Sequence, residues 1–343
     1  MQDEALWRDL YRRAVDEVVP VSGFYHDNYL VQRDGVIYVV RVNRKLDEPD
    51  VEPRMYAEAA VLAALRNADI AAPDIFHDSS EHGFTVISYL PGQRIADLYP
   101  PGTQVPDSLI EFIGSTMSKL YRVERETLGT MLRQSPWPRA AGEDAFLPSL
   151  LSWLTKVYES ASVAEKGCMR AVGLPTNPFD DRRFSLDNIQ RAFRLCHGDL
   201  QRENILAAPG ELYSLLDWEM AVWGDPLWDV ASHMHRAAYP PDQEQSALQR
   251  LLGSCPNGTS SASDHHAYDV YLKVEQYRSL VLDCARNLRV GGAWNDITRA
   301  REVARYHRKL VKAGIERLSQ AEVLSVFERY WNIRIKDRAK RGR

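Results

Sequence analysis

The stretch of the chain richest in chemistry is His197-Gly198-Asp199-Leu200-Gln201-Arg202-Glu203-Asn204, where a carboxylate precedes a carboxamide by five positions. It runs into Ile205-Leu206-Ala207-Ala208, the turn pair Pro209-Gly210, and Leu212-Tyr213-Ser214-Leu215-Leu216, which together read as a β-hairpin. Asp217 stands at the far end, thirteen residues after Asn204. A hairpin returns its ends to one place, so Asn204 and Asp217 should converge, with Asp199 on the loop before them. One carboxylate to accept a hydroxyl proton and two oxygen ligands for hard magnesium ions are what phosphoryl transfer requires.

The segment continues as Asp217-Trp218-Glu219 and then Gly224-Asp225-Pro226-Leu227-Trp228-Asp229. With His197-Gly198-Asp199-Leu200 and Asn204, this resembles the aminoglycoside-phosphotransferase family of kinase-like enzymes. The resemblance spans roughly residues 15 to 235, is strongest from 195 to 230, and implies Asp199 as catalytic base with Asn204 and Asp217 on Mg2+. It implies ATP or GTP as phosphate donor and a hydroxylated small molecule as acceptor. O-phosphorylation of an antibiotic, giving resistance, is the leading expectation; a metabolic kinase of the choline, sugar or amino-acid type is the alternative, and a nucleotide-binding pseudokinase a further one. Asp225 and Asp229 are expected to brace the active-site loop, and His197 to fix it by hydrogen bonding.

The same resemblance makes Tyr38-Val39-Val40-Arg41-Val42 the strand whose basic residue grips the nucleotide phosphates, with Glu58 as its ion-pair partner. Arginine replaces the usual lysine there, a planar fork in place of a point donor. Ser22-Gly23-Phe24-Tyr25-His26-Asp27-Asn28 is expected to be the nucleotide loop, with Ser22, Gly23 and His26 as contacts, although its single glycine departs from a glycine-rich motif. Backbone around Ser88, Tyr89 and Leu90 is expected to meet the nucleobase. A protein kinase would carry Asp-Phe-Gly and Ala-Pro-Glu; this chain has Asp217-Trp218-Glu219 and Gly224-Asp225-Pro226 instead.

These residues need elements to hold them. Asp34-Gly35 between Tyr29-Leu30-Val31 and Val36-Ile37-Tyr38-Val39-Val40 predicts a hairpin, because both turn positions favour positive φ. Met55, Ala59, Leu62 and Leu65 repeat at helical spacing from about 52 to 66, with Pro53 suited to a first turn. Phe84–Leu90 reads as a buried strand closed by Pro91-Gly92. Beyond residue 100 helical periodicity dominates, in segments around 107–122, 145–165, 263–288, 295–316 and 319–334, with loops expected at 134–144, 166–186 and 253–264.

The fold class expected is therefore α+β: a two-lobed protein-kinase-like fold with a small β-rich N-terminal lobe and a larger, mainly helical C-terminal lobe. The division expected is a nucleotide-binding lobe over 1–92, a catalytic and substrate-binding lobe over 93–335, and a basic tail over 336–343 that is solvated and frayed. The 343 residues and a formal net charge of -4 give no electrostatic reason to bind nucleic acid or an anionic membrane. Cys168, Cys196, Cys255 and Cys284 form no C-x-x-C pair and read as reduced thiols. The N-terminus lacks a signal-peptide pattern and no run of 18 apolar residues occurs, so a cytoplasmic location is expected, where the sequon Asn257-Gly258-Thr259 means only a surface turn. His233 and His235, and the adjacent His265 and His266, lack metal-ligand spacing and are read as core or surface residues; Trp218, Trp223 and Trp228 are read as packing beneath the site. On the predicted helix at 263–288, Asp269, Glu275 and Asp283 are the carboxylates that a polycationic acceptor would call on.

Overall fold

The computed structural model describes residues 2–22, 26–43, 53–79, 82–132, 135, 137, 146–180, 183–186, 191–256 and 262–341. In chain order the elements are α1 (Gln2–Glu17), β1 (Val21–Ser22), β2 (His26–Arg33), β3 (Val36–Asn43), α2 (Glu58–Asn67), β4 (Ile75–Ser79), β5 (Phe84–Ser88), β6 (Gln93–Arg94), α3 (Ile95–Leu98) and α4 (Asp107–Leu120). There follow α5 (Phe146–Ser160), α6 (Val163–Ala171), β7 (Arg194–Cys196), β8 (Ile205–Ala208), β9 (Leu212–Leu215), β10 (Val222–Gly224) and α7 (Pro226–Ala237). The last elements are α8 (Pro241–Gly253), α9 (Ala262–Val290), α10 (Asp296–Lys312) and α11 (Gln320–Arg341). An antiparallel sheet followed by a largely helical region makes this an α+β, protein-kinase-like fold.

The chain divides into two compact units, Met1–Pro136 with Ala192–Ser260, and Trp137–Arg191 with Ser261–Arg343. The boundary expected at residue 92 falls inside the first unit, because β6 pairs with β8 beyond it. In that unit the five strands run in the order β1-β2-β3-β5-β4. Asp34 and Gly35 turn β2 into β3 with φ of 51° and 79°, the left-handed geometry that the Asp-Gly pair favours. On one face Val31, Val40, Phe84 and Val86 are buried against Leu10 and Ala14 of α1. Each large aliphatic buried in this way contributes about 1.5–3 kcal/mol. Helix α1 was not foreseen, although Leu6, Leu10 and Ala14 already have the four-residue spacing of a helix face.

Helix α2 begins at Glu58, not near residue 52, and Pro53 lies outside it. Residues 53–56 serve tertiary contacts instead. Arg54 has a positive φ of 26°, Met55 and Tyr56 are buried, Leu132 N–H donates to Met55 C=O at 3.0 Å, Trp223 N–H points at the Met55 sulfur at 3.3 Å, and Ser135 Oγ donates to Pro53 C=O at 2.6 Å. The second hairpin forms as expected, β8 against β9, its turn carried by Gly210 and Glu211 at positive φ. Helix α8 was not separated in the sequence.

The second unit is helical. The single helix expected over 145–165 is two, because Ser162 restarts the chain with a capping box: its hydroxyl accepts from Glu165 N–H while Glu165 accepts from Ser162 N–H. Part of the loop expected over 166–186 is therefore α6. Segment 134–144 lies mostly outside the described residues, as does Asn257-Gly258-Thr259. Helical backbone continues through Arg341, into the run expected as a frayed tail, since nothing in Lys336–Arg341 breaks a helix. Ser162→Ala is expected to lower the unfolding free energy by about 1 kcal/mol, read as a lower urea midpoint at unchanged m-value; an unchanged midpoint would mean that the box does not stabilise α6.

Candidate active site

Strand β7 delivers the chain into the loop His197–Asn204, and the loop is fixed at nearly every residue. Gly198 has φ of 77°, and a Cβ there would lie 2.3 Å from the carbonyl oxygen of Met220, so both conformation and space require glycine. Asp229, fully buried in α7, accepts the N–H of His197 at 2.9 Å through Oδ2 and that of Gly198 at 3.0 Å through Oδ1. Asp225 caps the same helix by accepting Leu227 N–H at 3.0 Å. His197 Nδ1 accepts Asp199 N–H at 3.2 Å, which leaves Nε2–H to donate to Leu216 C=O at 3.0 Å. His233 Nδ1–H donates to Leu200 C=O at 2.9 Å and its Nε2 accepts from Tyr239 O–H at 2.8 Å. Burial lowers both imidazoles to about 4, so each is neutral and acts by hydrogen bonding alone. The buried Arg202 guanidinium donates to the carbonyls of Tyr99, Pro100 and Thr103.

On this frame the polar atoms converge. Asn204 Nδ2 donates to Asp199 C=O at 2.9 Å and to Asp199 Oδ2 at 2.8 Å. Gln201 Nε2 donates to the same Oδ2 at 2.9 Å. The other oxygen, Oδ1, is paired with Arg236 from the last turn of α7. Because the Asn204 amide nitrogen is engaged, its oxygen is the atom left to act as a ligand. The β8–β9 hairpin brings Leu216 N–H to within 2.8 Å of Asn204 C=O, and Asp217 follows with φ of 63°.

Arg41, 7% exposed, meets both oxygens of Glu58 at 2.6 and 2.7 Å. Its second nitrogen lies 3.1 Å from His26 Nδ1 and 3.5 Å from Asp217 Oδ1. Glu219, also buried, stands 3.6 Å from Arg54 and 3.9 Å from His26. Burial opposes the charge on Arg41, but Glu58, Asp217 and Glu219 outweigh it and hold the guanidinium above its ordinary value. Burial, then Arg41 and Arg54, depress His26 to about 3. Burial raises the Asp217 carboxyl above the usual aspartate value; Arg41 pulls it back and Glu58 adds to the rise. A cation beside Asp217 would relieve that crowding. Among the described residues no group of three His, Cys, Asp or Glu side chains is arranged to hold a metal. A Mg2+ ion bound through one or two protein oxygens, phosphates and water needs none, so Asn204 and Asp217 fit it.

The structure thus brings Asp199 together with Asn204, and Arg41 with Glu58, Asp217 and His26. Gly23 lies outside the described residues, and Ser22 is described only as backbone in β1. At Ser88 the N–H donates to Asp74 C=O at 2.8 Å and the hydroxyl accepts Asp74 N–H at 2.9 Å, so both are already engaged. Tyr89 and Leu90 follow directly after β5. The sequence reading missed Gln201, Glu219, Arg54, Arg236 and the positioning part of His233. A signal was present: Asp229, His233 and Arg236 follow the i, i+4, i+7 spacing of one helix face. In the second unit Glu275 is paired with Arg278 at 3.1 Å and Asp283 with Lys309, while Asp269 is exposed.

A kinase-type loop bearing Asp199 and Asn204, followed by a hairpin ending at Asp217, defines a phosphotransferase. The chain matches the phosphotransferase enzyme family APH over residues 17–265, well over half its length, and it belongs to that family. It is 26% identical over 185 residues to mouse (Mus musculus) acyl-CoA dehydrogenase family member 10; the match covers 51% of this chain and 16% of the mouse protein. The fold is similar to that of the choline kinase LicA from Streptococcus pneumoniae, with TM-score 0.54 and 17% identity over 92% of this chain and 99% of that one. It is also similar to a choline/ethanolamine kinase family protein from Mesorhizobium loti, with TM-score 0.51 and 17% identity over 95% and 99% of the two chains. No described helix is long and apolar enough to cross a membrane.

Asp229→Ala would leave two buried amides without their acceptor, each at a cost of about 1–3 kcal/mol. The variant is expected to melt earlier and to lose turnover together with stability, with Asp229→Asn intermediate. Wild-type melting in Asp229→Ala would show that the loop does not depend on this carboxylate.

Proposed function

We propose that the chain is a small-molecule kinase that transfers the γ-phosphoryl group of ATP or GTP to a substrate hydroxyl, in the cytoplasm. The observation that carries this reading is the Asp199 carboxylate, held through Oδ2 by Asn204 and Gln201 at the end of a loop with a fixed backbone. Asp199 orients the acceptor hydroxyl and takes its proton; Arg41, oriented by Glu58, grips the nucleotide phosphates; His26 packs against Arg41, and Ser22 and Gly23 are the further nucleotide contacts of the same sequence segment. Asn204 and Asp217 supply oxygens to Mg2+, which when bound offsets the charge of the phosphates. With Ser88 engaged by Asp74, the nucleobase is read by the backbone of Tyr89 and Leu90.

A hydroxylated antibiotic is the acceptor that the family resemblance suggests. The test is a purified-protein screen of antibiotics and hydroxylated metabolites with ATP and with GTP, coupled to expression in a sensitive bacterium. Raised tolerance to one antibiotic class, absent with Asp199→Asn, supports the antibiotic reading; phosphorylation of a metabolite without a change in tolerance replaces it by a metabolic kinase.

Asp199→Asn should retain nucleotide binding and lower kcat by about 100-fold or more; a wild-type-like kcat would remove Asp199 as base. Asp217→Asn and Asn204→Ala should weaken magnesium-dependent nucleotide binding, and an unchanged magnesium titration would remove both as ligands. Arg41→Ala should abolish most turnover while Arg41→Lys keeps part of it through its charge. Normal kinetics in Arg41→Ala would mark this residue as structural.

A further inference from the structure

We infer that the outward face of α10 is a docking surface for an anionic lipid bilayer, met as a peripheral contact. This goes beyond the phosphotransfer reading above and does not depend on it.

Helix α10 carries six basic residues against two acidic ones, Asp296 and Glu302, in a chain whose formal net charge is -4. The fold itself uses two of the six. Arg299 donates to the carbonyls of Gly291 and Gly292 at 3.0 and 2.9 Å, and Lys309 is paired with Asp283. The other four, Arg301, Arg305, Arg308 and Lys312, follow the i, i+4, i+7, i+11 spacing of a single row along the helix. All four are exposed. The row lies opposite Val303, Tyr306 and Leu310, each 1% exposed, which already bury the inner face of the helix. Arg301 and Arg305 share Glu302 at 3.2 and 4.0 Å, while Arg308 and Lys312 enter no ion pair among the described residues.

A helix face that only meets water gains from opposite charges three or four residues apart, and like charges at that spacing repel. This row forgoes that gain. Over about 16 Å of helix it presents cations alone, and along one flank stand Ile297, 82% exposed, Val311, 40% exposed, and the small apolar Ala300 and Ala304. A cationic row beside an apolar one suits the border between anionic headgroups and acyl chains, where the charges stay with phosphate and the apolar side chains enter beneath them. A nucleic acid would match the cations through its phosphates but offer nothing to Ile297 and Val311. The net charge of the whole chain does not decide the encounter, because salt screens exposed charges beyond about 8 Å at physiological ionic strength. The bilayer responds to the row in front of it.

The experiment is co-sedimentation of the full chain with vesicles of phosphatidylcholine alone and of phosphatidylcholine mixed with phosphatidylglycerol, at about 0.15 M and about 1 M salt. The wild type is expected to bind the mixed vesicles, to leave them at the higher salt and to ignore phosphatidylcholine alone. Each cation brought to an anionic surface strengthens association about fivefold, so the double variant Arg308→Gln, Lys312→Gln should bind about 25-fold more weakly. The charge-keeping double variant Arg308→Lys, Lys312→Arg should bind as the wild type does. Ile297→Ser should weaken binding several-fold and leave its salt dependence intact. All three positions are exposed, so wild-type melting of each variant confirms that the surface and not the fold has been changed. No binding to the mixed vesicles, equal binding to phosphatidylcholine alone, or undiminished binding by the glutamine double variant would each overturn the inference. So would tighter binding of a short DNA or RNA duplex than of the mixed vesicles at the same salt, which would make the row a nucleic-acid surface. The readout uses no nucleotide turnover, so its failure and a failure of the phosphotransfer reading are told apart.

Discussion

One face of one helix holds the candidate site in register. Asp229, His233 and Arg236 of α7 point three kinds of polar group at consecutive parts of a single loop: a carboxylate at the amides of His197 and Gly198, an imidazole at the carbonyl of Leu200, and a guanidinium at the carboxylate of Asp199. The other faces of α7 carry Leu227, Trp228, Val230, Ala231 and Met234, all buried, which fix its position by packing. A polar stripe inside an apolar helix is costly unless every group on it finds a partner. Here the partners are the loop, so the loop has one low-energy arrangement and Asp199 one direction.

The second organised region is the charge cluster around Arg41. Two guanidiniums, Arg41 and Arg54, face Glu58, Asp217 and Glu219, with a neutral His26 packed among them. A buried ionic cluster is a poor source of stability, because desolvation offsets much of the attraction. On the function proposed above, the same cluster is a preorganised field for phosphate and cation, where charges fixed beforehand need not reorient during the reaction.

Local signals in the sequence were decisive where local chemistry decides structure. Asp34-Gly35 predicted its hairpin because two adjacent positive-φ positions leave few alternatives, and the spacing of Asp199, Asn204 and Asp217 could be interpreted because a hairpin constrains its ends. Tertiary contacts decided the rest. Pro53 satisfies a helix-start rule, yet the chain around it is bound to Leu132, Ser135 and Trp223, and α2 waits until Glu58. Arg236 and His233 escaped notice because their partners lie about 33–37 residues away in sequence and only the helix period of α7 links them to Asp229. Glu219 sits two residues from Asp217, but its partners Arg54 and His26 come from distant segments.

The attachment of residues 53–55 has a bearing on control. In two-state kinases the helix bearing the glutamate partner swings in and out, and activity follows that swing. Here the chain entering α2 is tied at Pro53 by Ser135 and at Met55 by both Leu132 and Trp223. The base of α2 is thereby anchored within its own unit, and the placing of Glu58 against Arg41 is coupled to Leu132, Ser135 and Trp223.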